Sequence, residues 1–326
     1  MQFAYGSYTG DGADNRQITG VGFQPDMVWV RKNASSFLIV RTKDMPADSA
    51  RAVDLATWGL QANWIQSLDA DGFTVGDHTD VNLLDAEYHW FAFKGDGLAT
   101  GHYTGDGTSP RNITGLGFQP AWVAVLPDVA IRPVHKFLHT GQEALWGAHE
   151  WDNAPENNQY ILHPFLADGF TVDNDQRVNQ GDSEYYWFAF KEDAALGIYF
   201  GVHLGNGLDN HDITGIGFMP ELVWIHEWGG GTTYLKTPAC AGELTIRANA
   251  GTNMATGGIK TILADGFRLG TQNEVNELGW NFEHICMKNV SLGPAGIAAV
   301  NEVAAANINE VNKVAWAGIA KVDEVG

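Results

Sequence analysis

The sequence predicts an all-β protein: three tandem antiparallel β-sandwich modules of jelly-roll type, followed by a short C-terminal segment. Three observations predict this. Asp71-Gly72-Phe73 returns as Asp168-Gly169-Phe170 and as Asp265-Gly266-Phe267 at a constant interval of 97 residues. Val81-Asn82, Val178-Asn179 and Val275-Asn276 keep that interval, as do Lys94, Lys191 and Lys288. Between these landmarks run short β-branched and aromatic segments punctuated by turn signals, with almost no helical periodicity before residue 290. The modules fall at 1–97, 98–195 and 196–290, with residues 291–326 as the appended segment.

Each module opens on a strand and a glycine turn, Tyr8-Thr9-Gly10-Asp11-Gly12, then Tyr103 to Gly107, then the divergent His203-Leu204-Gly205-Asn206-Gly207. Asp-Gly and Asn-Gly tolerate the positive φ that tight turns need. Next comes Ile18-Thr19-Gly20-Val21-Gly22-Phe23-Gln24-Pro25, repeated as Ile113 to Pro120 and Ile213 to Pro220. It leads into Asp26-Met27-Val28-Trp29-Val30 and its counterparts, which read as strands started by a proline that needs no ladder hydrogen bond. The Asp-Gly-Phe turn introduces another short strand. The module then closes on Tyr88 to Lys94, Tyr185 to Lys191 and Phe282 to Lys288; in the first two copies successive aromatics predict a strand covered on both faces. Spacing varies only between Phe-x-Pro and Asp-Gly-Phe, so the middle of each module is its variable part. In the first, residues 48–66 are locally compatible with a helix.

Beyond Ser291 a second repeat appears. Ile297, Ile308 and Ile319 are 11 apart, as are Val300, Val311 and Val322, and Val303, Val314 and Val325. A helix with this period would supercoil right-handedly with a partner; an extended chain would build an intertwined β stem, which the β-branched content favours. Both stay open on sequence alone. Either form leaves one copy with too little surface to bury its apolar face, so these residues are expected to assemble the chain into a homo-oligomer or dock it on another protein.

Composition narrows the function. With 19 Lys+Arg against 39 Asp+Glu, the formal charge of −20 repels phosphate and argues against nucleic-acid binding. No run of about 18 apolar residues offers a membrane span, and Met1 to Tyr5 read as module rather than as a secretory leader. Cys240 and Cys286 match no metal or redox spacing; Cys286 aligns with Ala92 and Ala189 and reads as a small buried residue, with a disulfide as the alternative. No nucleophile elbow, His-Glu-x-x-His, phosphate loop or dinucleotide fingerprint occurs, so no catalytic residue, cofactor or metal site is assigned. Asp69-Ala70-Asp71-Gly72 resembles the start of a calcium loop, but Leu166 and Leu263 replace Asp69 in the other copies, which makes it a turn. His135, His139, His149 and His163 crowd one variable segment at unspecific spacing and read as exposed or hydrogen-bonded loop histidines. Arg16, Arg111 and His211 share one position before Ile-Thr-Gly and are expected to make a strand-edge or turn contact. The candidate ligand-binding residues are aromatics of the variable segments: Trp58, Trp64, Trp146, Trp151, Tyr160, Trp228 and Tyr234. Flat rings with a polar handle suit sugars and protein partners alike.

The order Tyr-Thr-Gly-Asp-Gly, Ile-Thr-Gly-x-Gly-Phe-Gln-Pro with Val-Trp-Val, Asp-Gly-Phe-Thr-Val, Val-Asn and Tyr-x-Trp-Phe-Ala-Phe-Lys resembles a module of bacteriophage virion proteins, especially tail-fibre and receptor-binding proteins. The resemblance covers residues 3 to 289; the third copy departs most, with His284 in place of the last-strand Trp. The C-terminal Ile/Val repeat is similar to end segments of phage structural proteins. What this implies is a non-enzymatic virion protein, assembled in the host cytoplasm and displayed on the particle exterior as a fibre, spike or adhesin. Its implied partners are other virion proteins through residues 291–326 and, as a candidate ligand, host surface polysaccharide. Packing of three like modules about a pseudo-threefold axis would suit the alternative, a capsid-associated decoration or head-fibre protein. A carbohydrate-active enzyme with binding modules is disfavoured because no segment is left for a catalytic domain. A chain truncated after residue 290 is expected to lose its self-association in equilibrium sedimentation; unchanged assembly would remove the role given to residues 291–326.

Overall fold

The computed structural model describes residues 1–53, 57–138, 149–150, 161–227, 233–248, 253 and 255–290, and, beyond these, 299–300, 303–304, 310–311 and 314–315. The first module runs β1 (Gln2–Thr9), β2 (Arg16–Thr19), β3 (Met27–Lys32), β4 (Leu38–Thr42), β5 (Arg51–Ala52), β6 (Ile65–Asp69), β7 (Gly72–Val75), α1 (Thr79–Asn82) and β8 (Glu87–Lys94). These strands form a five-stranded antiparallel sheet ordered β1-β8-β3-β4-β5 and a three-stranded one ordered β2-β7-β6. The second module repeats the plan with β9 (Leu98–Thr104), β10 (Arg111–Thr114), β11 (Trp122–Pro127), β12 (Val134–Phe137), β13 (His149–Glu150), β14 (Ile161–Leu166), β15 (Gly169–Val172) and β16 (Glu184–Phe190). The third does so with β17 (Ile198–Leu204), β18 (His211–Thr214), β19 (Leu222–Glu227), β20 (Thr233–Lys236), β21 (Ile246–Arg247), β22 (Ile259–Leu263), β23 (Gly266–Leu269), α2 (Asn273–Asn276) and β24 (Asn281–Met287). Sheet orders β9-β16-β11-β12-β13 with β10-β15-β14, and β17-β24-β19-β20-β21 with β18-β23-β22, match the first module. The chain is therefore all-β, as the recurrence predicts.

The repeated motifs meet in space. The Asp71 carboxylate accepts hydrogen bonds from the backbone N–H groups of Gly20 (3.2 Å) and Gly22 (2.6 Å). Asp168 does the same for Gly115 and Gly117, and Asp265 for Gly215 and Gly217. An ionised acceptor on two backbone donors is among the stronger hydrogen-bond arrangements, so the Asp-Gly-Phe turn and the Thr-Gly-x-Gly turn clamp one another. The glycine after the aspartate cannot change. At Gly72 φ is +144°, and a Cβ there would stand 2.0 Å from the carbonyl oxygen of Ile18 on the paired strand β2.

Each five-stranded sheet is buried on both faces. On β3, Val28 and Val30 turn toward the module's own three-stranded sheet and join Ile18, Phe73, Val75 and Trp64 in a sandwich core. Met27 and Trp29, on the other face, enter a core common to all three modules. The alternation repeats on β8, with Trp90 and Ala92 outward and Phe91 and Phe93 inward, and on β16 and β24. At the centre of the common core Trp29, Trp122 and Trp224 touch pairwise, their ring centroids 6.0, 5.3 and 5.0 Å apart. Trp29 and Trp224 hold equivalent positions, and Trp122 does not. In Met27/Trp29, Trp122/Ala124 and Leu222/Trp224 the second module places its large residue one inward position earlier and a small one opposite the other two tryptophans. Staggering large and small residues in this way lets three sheets close without a void. The outward tryptophans lie across the neighbouring strand: a Cβ on Gly6 would come within 2.7 Å of Trp90, one on Gly101 within 2.5 Å of Trp187 and one on Gly201 within 2.5 Å of His284.

The modules pack head to tail in a ring. The Arg51 Nε of β5 donates to the carbonyl oxygen of Pro127 (3.1 Å) and its Nη2 to that of Ile131 (2.6 Å), both in module 2. His135 and Phe137 of β12 pack on His226 and Phe200 of module 3. The ring closes where Ala248 accepts from the Leu38 backbone N–H and where Arg31 Nε donates to the carbonyl oxygen of Arg247 at 2.6 Å. A heterologous contact that closes after three steps makes the body pseudo-threefold. Burial brings the Arg31 and Arg51 guanidinium groups down to about 10, still charged at neutral pH. Fixed charges with no exposed surface need many hydrogen bonds, and the carbonyl groups of the neighbouring modules supply several.

Two expectations are amended and one open alternative is decided. Within 48–66 the described residues form no helix; Arg51–Ala52 is a strand, and Ala50 bridges Gln61. The length and polarity suited to a helix are overridden by ladder pairing with β4. His135, read as a loop histidine, is a buried strand residue that accepts a hydrogen bond from Trp122 Nε1 at 3.2 Å. In the C-terminal segment the described residues are extended: β25 (Ala299–Val300) pairs β26 (Val303–Ala304), and β27 (Glu310–Val311) pairs β28 (Val314–Ala315). The hairpins recur at the 11-residue interval and decide between the two open forms in favour of strand. Cys286 is a buried free thiol, as expected, and Cys240 is one too. Because the common core serves all three modules, Trp29→Ala is expected to cost about 3–5 kcal/mol and to lower the unfolding midpoint in denaturant as one transition rather than releasing module 1 alone.

Candidate interaction surfaces

Each module presents a tip built around a buried asparagine. Asn82 Oδ1 accepts from the Asp11 backbone N–H (3.0 Å) and from Arg16 Nη1 (3.0 Å), while its Nδ2 donates to Asp11 Oδ1 and the Ala13 carbonyl oxygen. The amide is thus fully used, which a buried amide requires. Asn179 holds Asp106, Thr108 and Arg111 in the same way. The arginine also lies over an aromatic ring, Arg16 at 5.0 Å from the Tyr8 centroid and Arg111 at 4.9 Å from Tyr103. The shared Arg/His position is therefore a turn contact, as the sequence suggests. Tyr8 Oη donates to the carbonyl oxygen of Val81 and Tyr103 Oη to that of Val178.

Module 3 rebuilds this hub from histidines. His203 replaces the tyrosine and His211 the arginine, while His284 stands where Trp90 and Trp187 stand in the other modules. His203 Nε2 reaches the Val275 carbonyl oxygen at 3.1 Å, and its Nδ1 lies 3.2 Å from His284 Nδ1. The carbonyl can only accept, so His203 carries its proton on Nε2 and accepts at Nδ1 from His284. His211 Nδ1 sits 2.8 Å from Asn276 Oδ1. Burial pulls His203 from its ordinary 6.5 to about 4, so it is neutral in the folded protein.

The tips differ in what they show to solvent. Module 1 exposes Leu83 and Leu84 beside the small residues Thr9, Ala13 and Ala86. At matching positions module 2 carries Gln180, Gly181, Thr104, Thr108 and Ser183. Module 3 exposes Leu204, Leu208, Leu278 and Trp280. Two turns bring these four together: the Gly205 N–H donates to the Trp280 carbonyl oxygen (2.8 Å) and the Gly279 N–H to that of Gly205 (2.9 Å). Glu227, at the end of β19, is pushed up to about 7 by burial and by Glu277 and Glu274. Comparing the three copies column by column shows in the sequence that these four positions turn apolar together only in module 3, while their meeting in one surface is seen in the fold.

Of the aromatics singled out, Trp58 keeps an exposed face and packs 6.3 Å from Trp64. Trp64 and Tyr234 are corrected: both are buried, Trp64 in the first sandwich core and Tyr234 in the third, so neither offers a ring to a ligand. Trp146, Trp151, Tyr160 and Trp228 lie outside the described residues, as do Ile297, Ile308, Ile319, Val322 and Val325. Val300, Val303, Val311 and Val314 are the strand residues of the two C-terminal hairpins. Two shallow clefts of about 460 and 450 Å³ open at the base of module 1, one floored by Met1, Phe3 and Phe23 and the other running past Arg41, Lys43 and Gln66. Among the described residues no group of three or more His, Cys, Asp or Glu side chains could hold a metal ion, and no helix is long and apolar enough to cross a membrane.

Compared with known proteins, residues 2–100 match a family model described as a domain of unknown function (DUF7483). No curated protein matches the chain. This likeness spans module 1 and the start of β9.

A group whose folded pKa is depressed by burial in the neutral form contributes stability above its unfolded value and loses it as pH falls. For His203 the window runs from 6.5 down to about 4; His89, also lowered by burial, acts in the same direction. Stability by urea titration is therefore expected to fall across this window, by up to about 3 kcal/mol from His203. In His203→Tyr, which restores the residue of modules 1 and 2, the fall is expected to be smaller.

Proposed function

We propose that the chain is a non-enzymatic phage virion structural protein, displayed on the particle as a compact knob or spike head and presenting its divergent surfaces to the host. The observation that carries this reading is the division of labour among the repeated residues. Asp71, Gly72, Asn82, Phe73 and their counterparts all serve turns and cores, whereas the three tips and middle segments vary. Such a scaffold is a display device: function resides in sites grafted on a fold, not in the fold. The formal charge of −20 supports solubility and limits non-specific adhesion to other acidic polymers. The paired hairpins of residues 299–315 support an extended C-terminal stem for assembly or anchoring.

A capsid-associated decoration protein is the second reading, favoured by the pseudo-threefold body, which could sit over a symmetry axis of a shell. Cryo-electron tomography of intact virions carrying gold-labelled protein distinguishes the two. Label at the tail tip or baseplate is expected; label confined to the capsid would replace the adhesin reading with decoration, and unlabelled particles would overturn both. A glycan array is expected to show a polysaccharide ligand for the adhesin.

A further inference from the structure

The tip of module 3 departs from the other two in a consistent direction. Leu204, Leu208, Leu278 and Trp280 stand where module 1 has Thr9, Ala13, Leu84 and Ala86 and module 2 has Thr104, Thr108, Gly181 and Ser183. Their exposures are 57%, 66%, 75% and 46%. Four large apolar side chains on two mutually bonded turns form a continuous patch, which a soluble surface rarely carries without a use. None of them is needed to finish a core, since the third sandwich core closes without them.

The patch has an acidic rim. Glu227 ends β19 opposite Phe282, two residues beyond Trp280, and the α2 turn that carries Glu274 and ends on Glu277 packs against β19; burial first, then the charges of Glu277 and Glu274, push Glu227 up to about 7. At the same positions module 1 has Lys32, Asp80 and Leu83, and module 2 has Pro127, Arg177 and Gln180. Only module 3 concentrates like charge at this place, a repulsion that an incoming cation would relieve.

We propose that the Leu204–Leu208–Leu278–Trp280 face of module 3 is the docking site for a basic amphipathic segment of a partner protein. Apolar side chains of the partner cover the leucines and Trp280, and its Lys or Arg groups meet Glu227, Glu274 and Glu277. Trp280 is the expected anchor, as exposed tryptophans commonly are. A second copy of this chain is a poor occupant, because it carries the same acidic rim and the same formal charge of −20. The chain's own C-terminal segment is a poor one too. Asn289 leaves β24 at the far end, beside Phe3 and Glu221, roughly 20 Å of strand from Trp280. Residues 291–326 also carry Lys313 and Lys321 against Glu302, Glu310, Asp323 and Glu324. The inference rests on module 3 alone and stands wherever on the particle the protein sits.

The test uses the full chain and two synthetic helical peptides, one with leucines opposite lysines and one with leucines opposite glutamates, followed by calorimetry and tryptophan fluorescence. The Lys/Leu peptide is expected to bind, and binding to weaken at least about tenfold in Leu278→Ser/Trp280→Ser and in Glu277→Lys. Leu84→Ser in module 1 is expected to leave it unchanged. Glu277→Lys keeps the test decisive should the double variant fold poorly, because it leaves the apolar residues in place. The proposal is overturned if the Glu/Leu peptide binds as well, or if neither variant changes the affinity. It is also overturned if sedimentation shows a dimer that Leu278→Asp dissolves, or if the patch variants abolish binding to a neutral glycan while the Lys/Leu peptide does not bind.

Discussion

The structure depends on burying the five-stranded sheets twice over. A sheet with one apolar face can stand alone against a single partner layer, but β3, β8, β11, β16, β19 and β24 are apolar on both faces. Each module covers one face with its own three-stranded sheet and leaves the other for its neighbours. Trp29, Trp122 and Trp224 meet where those second faces converge. Removing one module would expose a large apolar surface on each of the other two, so the three copies form one body, not beads on a string.

Handedness and order within that body come from polar contacts. Aromatic packing is tolerant of small rotations, whereas Arg31 and Arg51 reach named carbonyl groups of the adjacent modules. A buried guanidinium stripped of its acceptors is very costly, which penalises any other arrangement. At a corresponding place on β4, β12 and β20 the chain carries Arg41, Lys136 and Lys236; Arg41 bonds the carbonyl oxygens of Pro46 and Ser49, and Lys236 those of Gly242 and Leu244. Arg41 and Lys236 thereby tie the loops that follow β4 and β20 to their own sheets. Loops that change in length and sequence can therefore be carried without disturbing the scaffold.

Module 3 shows how a repeated hub diverges without breaking. Tyr8 and Tyr103 donate hydrogen bonds to the carbonyl oxygens of Val81 and Val178; His203 makes the same contact to Val275 with an imidazole nitrogen. With Arg16 and Trp90 also replaced by His211 and His284, the three changes form one unit, since the His203 ring packs against both of the other imidazoles. The exchange adds a buried, acid-sensitive imidazole to this module and places its distinctive apolar tip on the hub so altered. Divergence at the tip and divergence beneath it go together.

Sequence by itself determined the repeat, the all-β class, the turns and the near-continuous burial of the closing strands, because each depends on local periodicity or on residues with special backbone demands. It also placed Arg16, Arg111 and His211 at a turn and Cys286 in a core. It could not separate Trp58, which keeps an exposed face, from Trp64, which is buried, since both sit in a variable segment with no repeated pattern to read. The second covering of the sheets, the ring of three modules and the gathering of Leu204, Leu208, Leu278 and Trp280 were decided by tertiary structure alone. The physical reason is that an alternating or continuous apolar pattern reports that a face is covered and carries no information about which distant segment covers it.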